Sequence, residues 1–226
     1  MSTPEVSVAF VMADLSGFTA LTEAHGAREA AALVGRYVEL ARAALAPGAR
    51  LVERIGDELL IAADAPPAAL RTALALAAAL EREPRFPMAR IGLHAGPVIE
   101  QDGAFFGAAL NLTARVADHA RAGQILCTSA IAAGASPLEG VAFRPLGGVK
   151  FRNVPDPVDV FEVVAEAFGE REAWIDPVCQ MRVEPGTAAG RLTWAGRAWY
   201  FCSLECARAF AERPDRYVAT GSSPSA

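Results

Sequence analysis

The chain begins with an apolar, β-rich run from Val6 to Met12 that shows no polar alternation, the pattern of a strand covered on both faces. Asp14 falls at its end. From residue 22 to 46 the apolar positions, among them Leu33, Val34, Tyr37, Val38, Leu40 and Ala41, recur at helical spacing until Pro47-Gly48, which predicts one long amphipathic helix. "ARLVERIGDELLIAAD" then reads as two short strands around a tight turn, with Asp57 at the tip. An alanine-rich packing helix from about Ala68 to Arg82 follows, closed by Pro84 and Pro87. Next come a strand "ARIGLHAGPVIE", a turn at Asp102-Gly103, a helix within "GAALNLTARVADHA" and a strand "GQILCTS". A short helix near 129 to 135 and the strands "FRPLGGVKF" and "VDVFEVVA" complete the series. Alternating strands and helices predict a mixed α/β or α+β domain over residues 1–165.

The pattern then changes. Residues 166–174 carry no period and read as a linker. Residues 175–219 concentrate three of the chain's four cysteines, and residues 220–226, rich in small and polar side chains, have the composition of a disordered tail.

Composition narrows the function classes. The chain has 226 residues, 53% of them hydrophobic, enough for a sizeable core and one or two domains. A formal net charge of −5 supplies no electrostatic footprint for nucleic acid or an anionic membrane, so neither is expected as a partner. The first residues lack the basic start of a secretory leader and the longest apolar run, residues 73 to 80, is too short to span a bilayer, so a cytoplasmic protein is expected. In that reducing setting cysteines serve as metal ligands, reactive thiols or core fillers more readily than as disulfides.

Two carboxylates at neighbouring strand ends, Asp14 and Asp57, can hold a pair of divalent cations such as Mg2+ or Mn2+ and so support chemistry on a polyphosphate. The small turn Ser16-Gly17-Phe18-Thr19 after Asp14 offers backbone N–H groups to phosphate oxygens where the chain enters a helix. Taken singly, such aspartates are commonly plain turn residues. The order of four blocks, "VAFVMADLSGFTALTE", "VERIGDELLIA", "RIGLHAGPVIEQDGAFFGAALNLTARVADHARAGQILCTS" and "LGGVKFRNVPDPVDVFEVV", resembles the catalytic domain of the class III nucleotidyl cyclases over roughly residues 5 to 165. That resemblance implies a ferredoxin-like βαββαβ core and a homodimer whose sites form between protomers. It implies that Asp14 and Asp57 carry the two metal ions. It also implies that Asn111 and Arg115, four apart on one helical face, reach across to the ribose and the transferring phosphate of ATP or GTP.

Base selection departs from the adenylyl pattern. Glu53 stands where adenylyl cyclases of this family place an adenine-reading lysine; a carboxylate there resembles the guanylyl enzymes and can accept hydrogen bonds from guanine. The second base-reading position is Ala104, with no polar group, and Val154 replaces the triphosphate-binding lysine of animal enzymes. Lys150, the only lysine, and Arg152 are expected on one strand and could bind the triphosphate or simply be exposed charges. The alternative for Glu53 is a hairpin carboxylate paired with a surface arginine. His94 reads as a hydrogen-bonded structural residue, His25 and His119 as incidental positions on exposed helices, and Cys127 as a core filler.

Cys179, Cys202 and Cys206 form C-x22-C-x3-C. Two thiolates one helical turn apart and a third from a preceding loop can occupy three corners of a tetrahedron around Zn2+ or Cu+. Small buried cysteines also fill compact cores. The surrounding "DPVCQMRVEP" and "LTWAGRAWYFCSLECARAFAERPDRY" resemble the YHS domain, which implies a small treble-clef-like module, a β-hairpin followed by a helix from about Ser203. The histidine for which that domain is named is replaced here, and the fourth metal donor, Asp176 or water, is left open.

The expectation is a cyclase that makes a 3′,5′-cyclic nucleotide and pyrophosphate beside a metal-binding module. One alternative is a cyclase-like regulatory protein without turnover that senses heavy metal. Another is a metal chaperone that dimerises through the cyclase fold.

Overall fold

The computed structural model describes residues 4–135, 137–165 and 174–218; most of the expected linker and the whole of the expected tail lie outside them. The chain runs β1 (Glu5–Leu15), α1 (Phe18–His25), α2 (Ala27–Ala43), β2 (Ala49–Ile55), β3 (Glu58–Ala63), α3 (Pro66–Arg82), β4 (Ala89–Gln101), β5 (Ala104–Phe106), α4 (Ala108–His119), β6 (Ile125–Thr128), α5 (Ser129–Gly134), β7 (Val141–Val149) and β8 (Val158–Ala165). It continues through β9 (Trp174–Ile175), β10 (Arg182–Val183), β11 (Gly190–Trp194), β12 (Arg197–Phe201), α6 (Leu204–Glu212) and α7 (Pro214–Val218).

Two compact units emerge. One comprises the described residues of 4–15, 36–80 and 89–165; the other comprises 16–35, 81–88 and 174–218. No helix among the described residues is long and apolar enough to cross a membrane.

The first unit is built on a sheet in the order β2-β3-β1-β4-β6-β8-β7, with β5 paired to β4. Its β2-β3-β1-β4 portion has the strand order of a ferredoxin-like βαββαβ fold. β1 lies centrally, antiparallel to β3 on one side and β4 on the other, and Ala9 to Ala13 are buried throughout, as an unbroken apolar run demands. Although strands and helices alternate in sequence, only β4 and β6 pair in parallel; the others are antiparallel. α3 turns Leu70, Ala73, Leu76 and Leu80 inward, the i, i+3 and i+4 stripe of an amphipathic helix. Its first residues, Pro66 and Pro67, stand where helical N–H groups lack partners in any case. α4 lies directly on β4: a Cβ built at Gly92 would come within 2.2 Å of the Ala117 backbone nitrogen, so glycine is what permits the approach.

Two expectations are corrected. The helix expected over residues 22 to 46 is α1 and α2, divided at Gly26, whose φ of 84° a continuous helix cannot contain. Lys150 and Arg152 are not on a strand. β7 ends at Val149, and both side chains are exposed in the following loop on either side of buried Phe151.

In the second unit, β11 and β12 form a hairpin whose two turn residues, Ala195 and Gly196, have φ of 50° and 75°, the doubly positive geometry that suits a two-residue hairpin loop. Ser203 caps α6 by accepting a hydrogen bond from the Cys206 N–H at 3.1 Å. The core gathers Val178, Met181, Trp199, Phe201 and Phe210 with Leu21 of α1 and Ala30 of α2. The segment 81–88 joins this unit because buried Arg182 donates to the carbonyls of Glu81 and Glu83. The Arg182 N–H also reaches the Phe86 carbonyl at 3.3 Å.

Candidate active site and metal centre

Asp14 lies at the end of β1, directly opposite Glu58 of β3 in the antiparallel register. Asp57 occupies the Gly56-Asp57 turn that joins β2 to β3, one position before Glu58. The sheet therefore brings both sequence-identified aspartates together and adds a third carboxylate beside them. Burial and then the charge of Asp14 push the Asp57 carboxyl up to about 6. Glu58 is also raised, by burial and then by Asp14.

Among the described residues one cation lies against Asp14, and it also reaches Asp118 Oδ1 at 3.9 Å. Arg90 of β4, across from Asp14 in register, donates to Asp14 Oδ2 from Nε at 2.8 Å and from the guanidinium NH2 at 2.6 Å. Arg90 escaped the sequence reading because its partner is 76 positions away and only strand register unites them. Beneath the cluster lies Tyr37 of α2, fully buried, its hydroxyl without a hydrogen-bond partner and its ionisation opposed by burial and then by Asp14, Asp57 and Glu58. Carboxylate oxygens such as those of Asp14, Asp57 and Glu58 are donors that suit hard cations such as Mg2+ or Mn2+.

The other sequence-identified residues are placed as follows. Asn111 and Arg115 project from successive turns of α4, Asn111 exposed and Arg115 half-buried. Glu53 is exposed on β2 at an irregularity in the β2–β3 register, and among the described residues no arginine pairs with it. Ala104 is exposed at the start of β5. In the Ser16–Thr19 turn the Ser16 N–H is already committed to the Met88 carbonyl at 2.8 Å, so it is not available to a phosphate. Gly17 adopts φ 75° and opens α1 at Phe18, while Ser16 Oγ is buried without a partner. His94 Nδ1 faces Thr128 Oγ1 at 2.8 Å, a structural contact, and Cys127 is fully buried in β6.

The second unit holds the other cluster. Cys179 Sγ lies 3.4 Å from Cys202 Sγ, which lies 3.8 Å from Cys206 Sγ. His25 at the end of α1 is not incidental: its Nε2 is 3.5 Å from Cys202 Sγ and 3.7 Å from Cys206 Sγ, and its side chain is only 10% exposed. The ligand atoms of all four residues lie within 4.8 Å of one another. Asp176, considered as a fourth donor, has another task. Its Oδ1 accepts from the N–H groups of Val178 at 2.8 Å and Cys179 at 3.5 Å, and its Oδ2 accepts from Cys202 at 2.8 Å. It thereby ties together the two backbone segments that present the cysteines. Interaction with Cys179 and then Cys202 holds the Cys206 thiol well below its usual range, while interaction with Cys202 and then Cys206 drives Cys179 up.

Residues 1–153 match the family model of the adenylate and guanylate cyclase catalytic domain. This chain belongs to that family. Residues 174–220 of the cyclase chain match the YHS domain. Among curated relatives, it is 33% identical to a pH-sensitive adenylate cyclase of Mycobacterium tuberculosis over 162 residues, covering 70% of this chain and 40% of that protein. An adenylate cyclase of Streptomyces griseus is 36% identical over 121 residues, 53% of this chain and 30% of that protein. The cyclase chain thus spans well under half the length of either relative. Among solved structures, an adenylate/guanylate cyclase/hydrolase from Silicibacter pomeroyi aligns with a TM-score of 0.61 and 29% identity, over 72% of this chain and 99% of that one. The adenylyl cyclase CyaB from P. aeruginosa shares the fold, with a TM-score of 0.64 and 20% identity over 76% and 98% of the two chains.

Proposed function

We propose that this chain is a cytoplasmic, homodimeric nucleotidyl cyclase that converts ATP or GTP into a 3′,5′-cyclic nucleotide and pyrophosphate. The observation that carries the reading is the juxtaposition of Asp57 and Glu58 with Asp14, which the Arg90 guanidinium holds. In the reaction the 3′-oxygen bonds to the α-phosphorus as its proton passes to solvent, while the bond from that phosphorus to the bridging oxygen breaks and pyrophosphate leaves. Asp14 and Asp57 would hold two Mg2+ or Mn2+ ions, which supply nucleophile activation and charge neutralisation. Arg90 keeps Asp14 oriented through two donors on one oxygen, leaving its second oxygen for a cation. From a partner protomer, Asn111 and Arg115 would orient the ribose and meet charge on the transferring phosphate. Lys150, exposed beyond β7, is a candidate for the triphosphate, as are the backbone N–H groups of Gly17, Phe18 and Thr19.

The decisive experiment is cyclic nucleotide formation by purified protein with Mn2+ and either ATP or GTP. Formation by wild type supports the reading; none from a folded dimer rejects it. The shared site makes a further prediction. Asp57→Asn and Arg115→Ala proteins are each expected to be inactive, and mixing them should restore about a quarter of wild-type activity, because half of randomly exchanged dimers hold one intact site. Exchanged heterodimers without activity would refute a site completed by the partner.

Base choice rests with Glu53, whose carboxylate can accept from the N–H groups of guanine. Glu53→Lys is expected to lower the GTP-to-ATP ratio of kcat/KM by about tenfold or more, the worth of one well-placed hydrogen bond to a charged group. An unchanged ratio would remove Glu53 from base recognition.

The YHS module is proposed to bind a thiophilic ion, Zn2+ or Cu+, through Cys179, Cys202 and Cys206. Three buried sulfurs, with Cys202 3.4 Å from Cys179 and 3.8 Å from Cys206, fit such an ion better than they fit simple core filling.

A further inference from the structure

His25 lies outside the segment that matches the YHS domain, 154 positions before Cys179, yet its ring meets the Cys202 and Cys206 sulfurs and lies within 4.8 Å of the third. The separations carry the argument. In a tetrahedral zinc site with metal–sulfur bonds of about 2.3 Å and a metal–nitrogen bond of about 2.1 Å, neighbouring sulfurs stand about 3.8 Å apart and sulfur and nitrogen about 3.6 Å apart. Here the sulfur–sulfur separations are 3.4 and 3.8 Å and the sulfur–nitrogen separations 3.5 and 3.7 Å. Four donors are thus placed near the corners of one tetrahedron, with the chemistry that a zinc-class ion selects.

The surroundings fit a built site. Asp176 fixes the Cys179 and Cys202 backbones, and Ser203 fixes that of Cys206. On the far side of the imidazole, Nδ1 faces Glu29 Oε2 at 3.7 Å, the kind of carboxylate partner that orients a ligating histidine. The helix bearing His25 is itself a core element of this unit. Leu21 is fully buried in its cluster, and Gly17 comes so close to the cysteine loop that an added Cβ would lie 2.2 Å from Gln180 Cβ. Cys206 also lines a cleft of about 560 Å3, together with Glu23, Glu205 and Arg208, which provides a route for an ion from solvent.

We propose that His25, Cys179, Cys202 and Cys206 form a closed Cys3His site for one tetrahedral dication of the zinc class, and that α1 is thereby a working part of the metal module. The inference rests on the metal-binding reading of the three cysteines and names what completes it. A closed four-ligand set leaves no open position for a substrate, so the site is structural.

The test is Co2+ titration of the full reduced chain after chelation, with Zn2+ competition. Wild type should show intense tetrahedral d–d absorption and thiolate-to-cobalt charge transfer, displaced by one equivalent of Zn2+. His25→Ala is expected to keep the charge transfer, alter the d–d envelope and lose at least about tenfold in affinity. His25→Cys should recover affinity with added charge-transfer intensity, which separates ligation from a folding defect. If His25→Ala binds with wild-type affinity and an unchanged spectrum, or if the chain takes only Cu+ independently of His25, the Cys3His assignment is overturned while the cysteine site stands. If wild type binds no thiophilic ion, the metal reading of the module itself falls.

Discussion

Asp57→Asn is expected to abolish cyclic nucleotide formation and at the same time to stabilise the cation-free protein. These opposite effects have one cause. The carboxyl is raised from 3.8 to about 6 by burial and by Asp14, so the fold favours its neutral form. Its contribution to stability is fully present below about pH 4 and is lost as the pH rises through about 6; at pH 7 the ionised group opposes folding. Asp57 is half-exposed, and solvent screening reduces the penalty to about 1 kcal/mol. Asparagine removes it, raising Tm by about 2–4 °C in chelator. Loss of the carboxylate proposed to hold a metal ion should cost several kcal/mol of transition-state stabilisation, a fall of about a thousandfold in kcat/KM. Calorimetry with and without Mn2+, beside product formation, checks both signs. A variant that is active, or one destabilised in chelator, would contradict the assignment.

The second large effect belongs to a residue with no chemistry. Gly92→Ala would drive a Cβ to within 2.2 Å of the Ala117 nitrogen and 2.6 Å of its Cα, so α4 must lift from β4. Backbone cannot yield as a flexible side chain does, and a loss of about 3 kcal/mol follows, or about 6–12 °C in Tm. Because α4 carries Asn111 and Arg115, activity should fall further than stability alone explains, even at temperatures where the variant is fully folded. Unchanged kcat in the folded variant would show that the seating of this helix does not matter to turnover.

What could be read in the sequence was local. Val6 to Met12 announced a buried strand because its apolar run has no alternation, and the turn at Gly56-Asp57 lay between two short β-type runs. Both required only neighbouring residues. Arg90 and His25 were hidden for the opposite reason: one meets Asp14 through strand register, the other meets Cys202 across 177 positions, and no window along the chain contains either pair. The division of the helix at Gly26 was missed because apolar spacing resumes beyond it. Lys150 reads as a strand residue because the apolar pattern of β7 continues into Phe151, although pairing with β8 begins at Val149 and Val158.

The ligand set has one more implication, in the language of chain topology. Bringing residue 25 to residue 179 closes a loop of 154 residues, which in a disordered polymer costs about 5 kcal/mol of entropy. Folding of the enclosed segment meets that cost before any ion arrives, so the unfolded chain can offer three thiols locally but not the imidazole. An ion held by all four donors therefore discriminates folded from unfolded protein, beyond what the cysteines alone provide, by the affinity the imidazole adds, at least about tenfold. Tight metal retention becomes a certificate that the intervening strands and helices have already found their places.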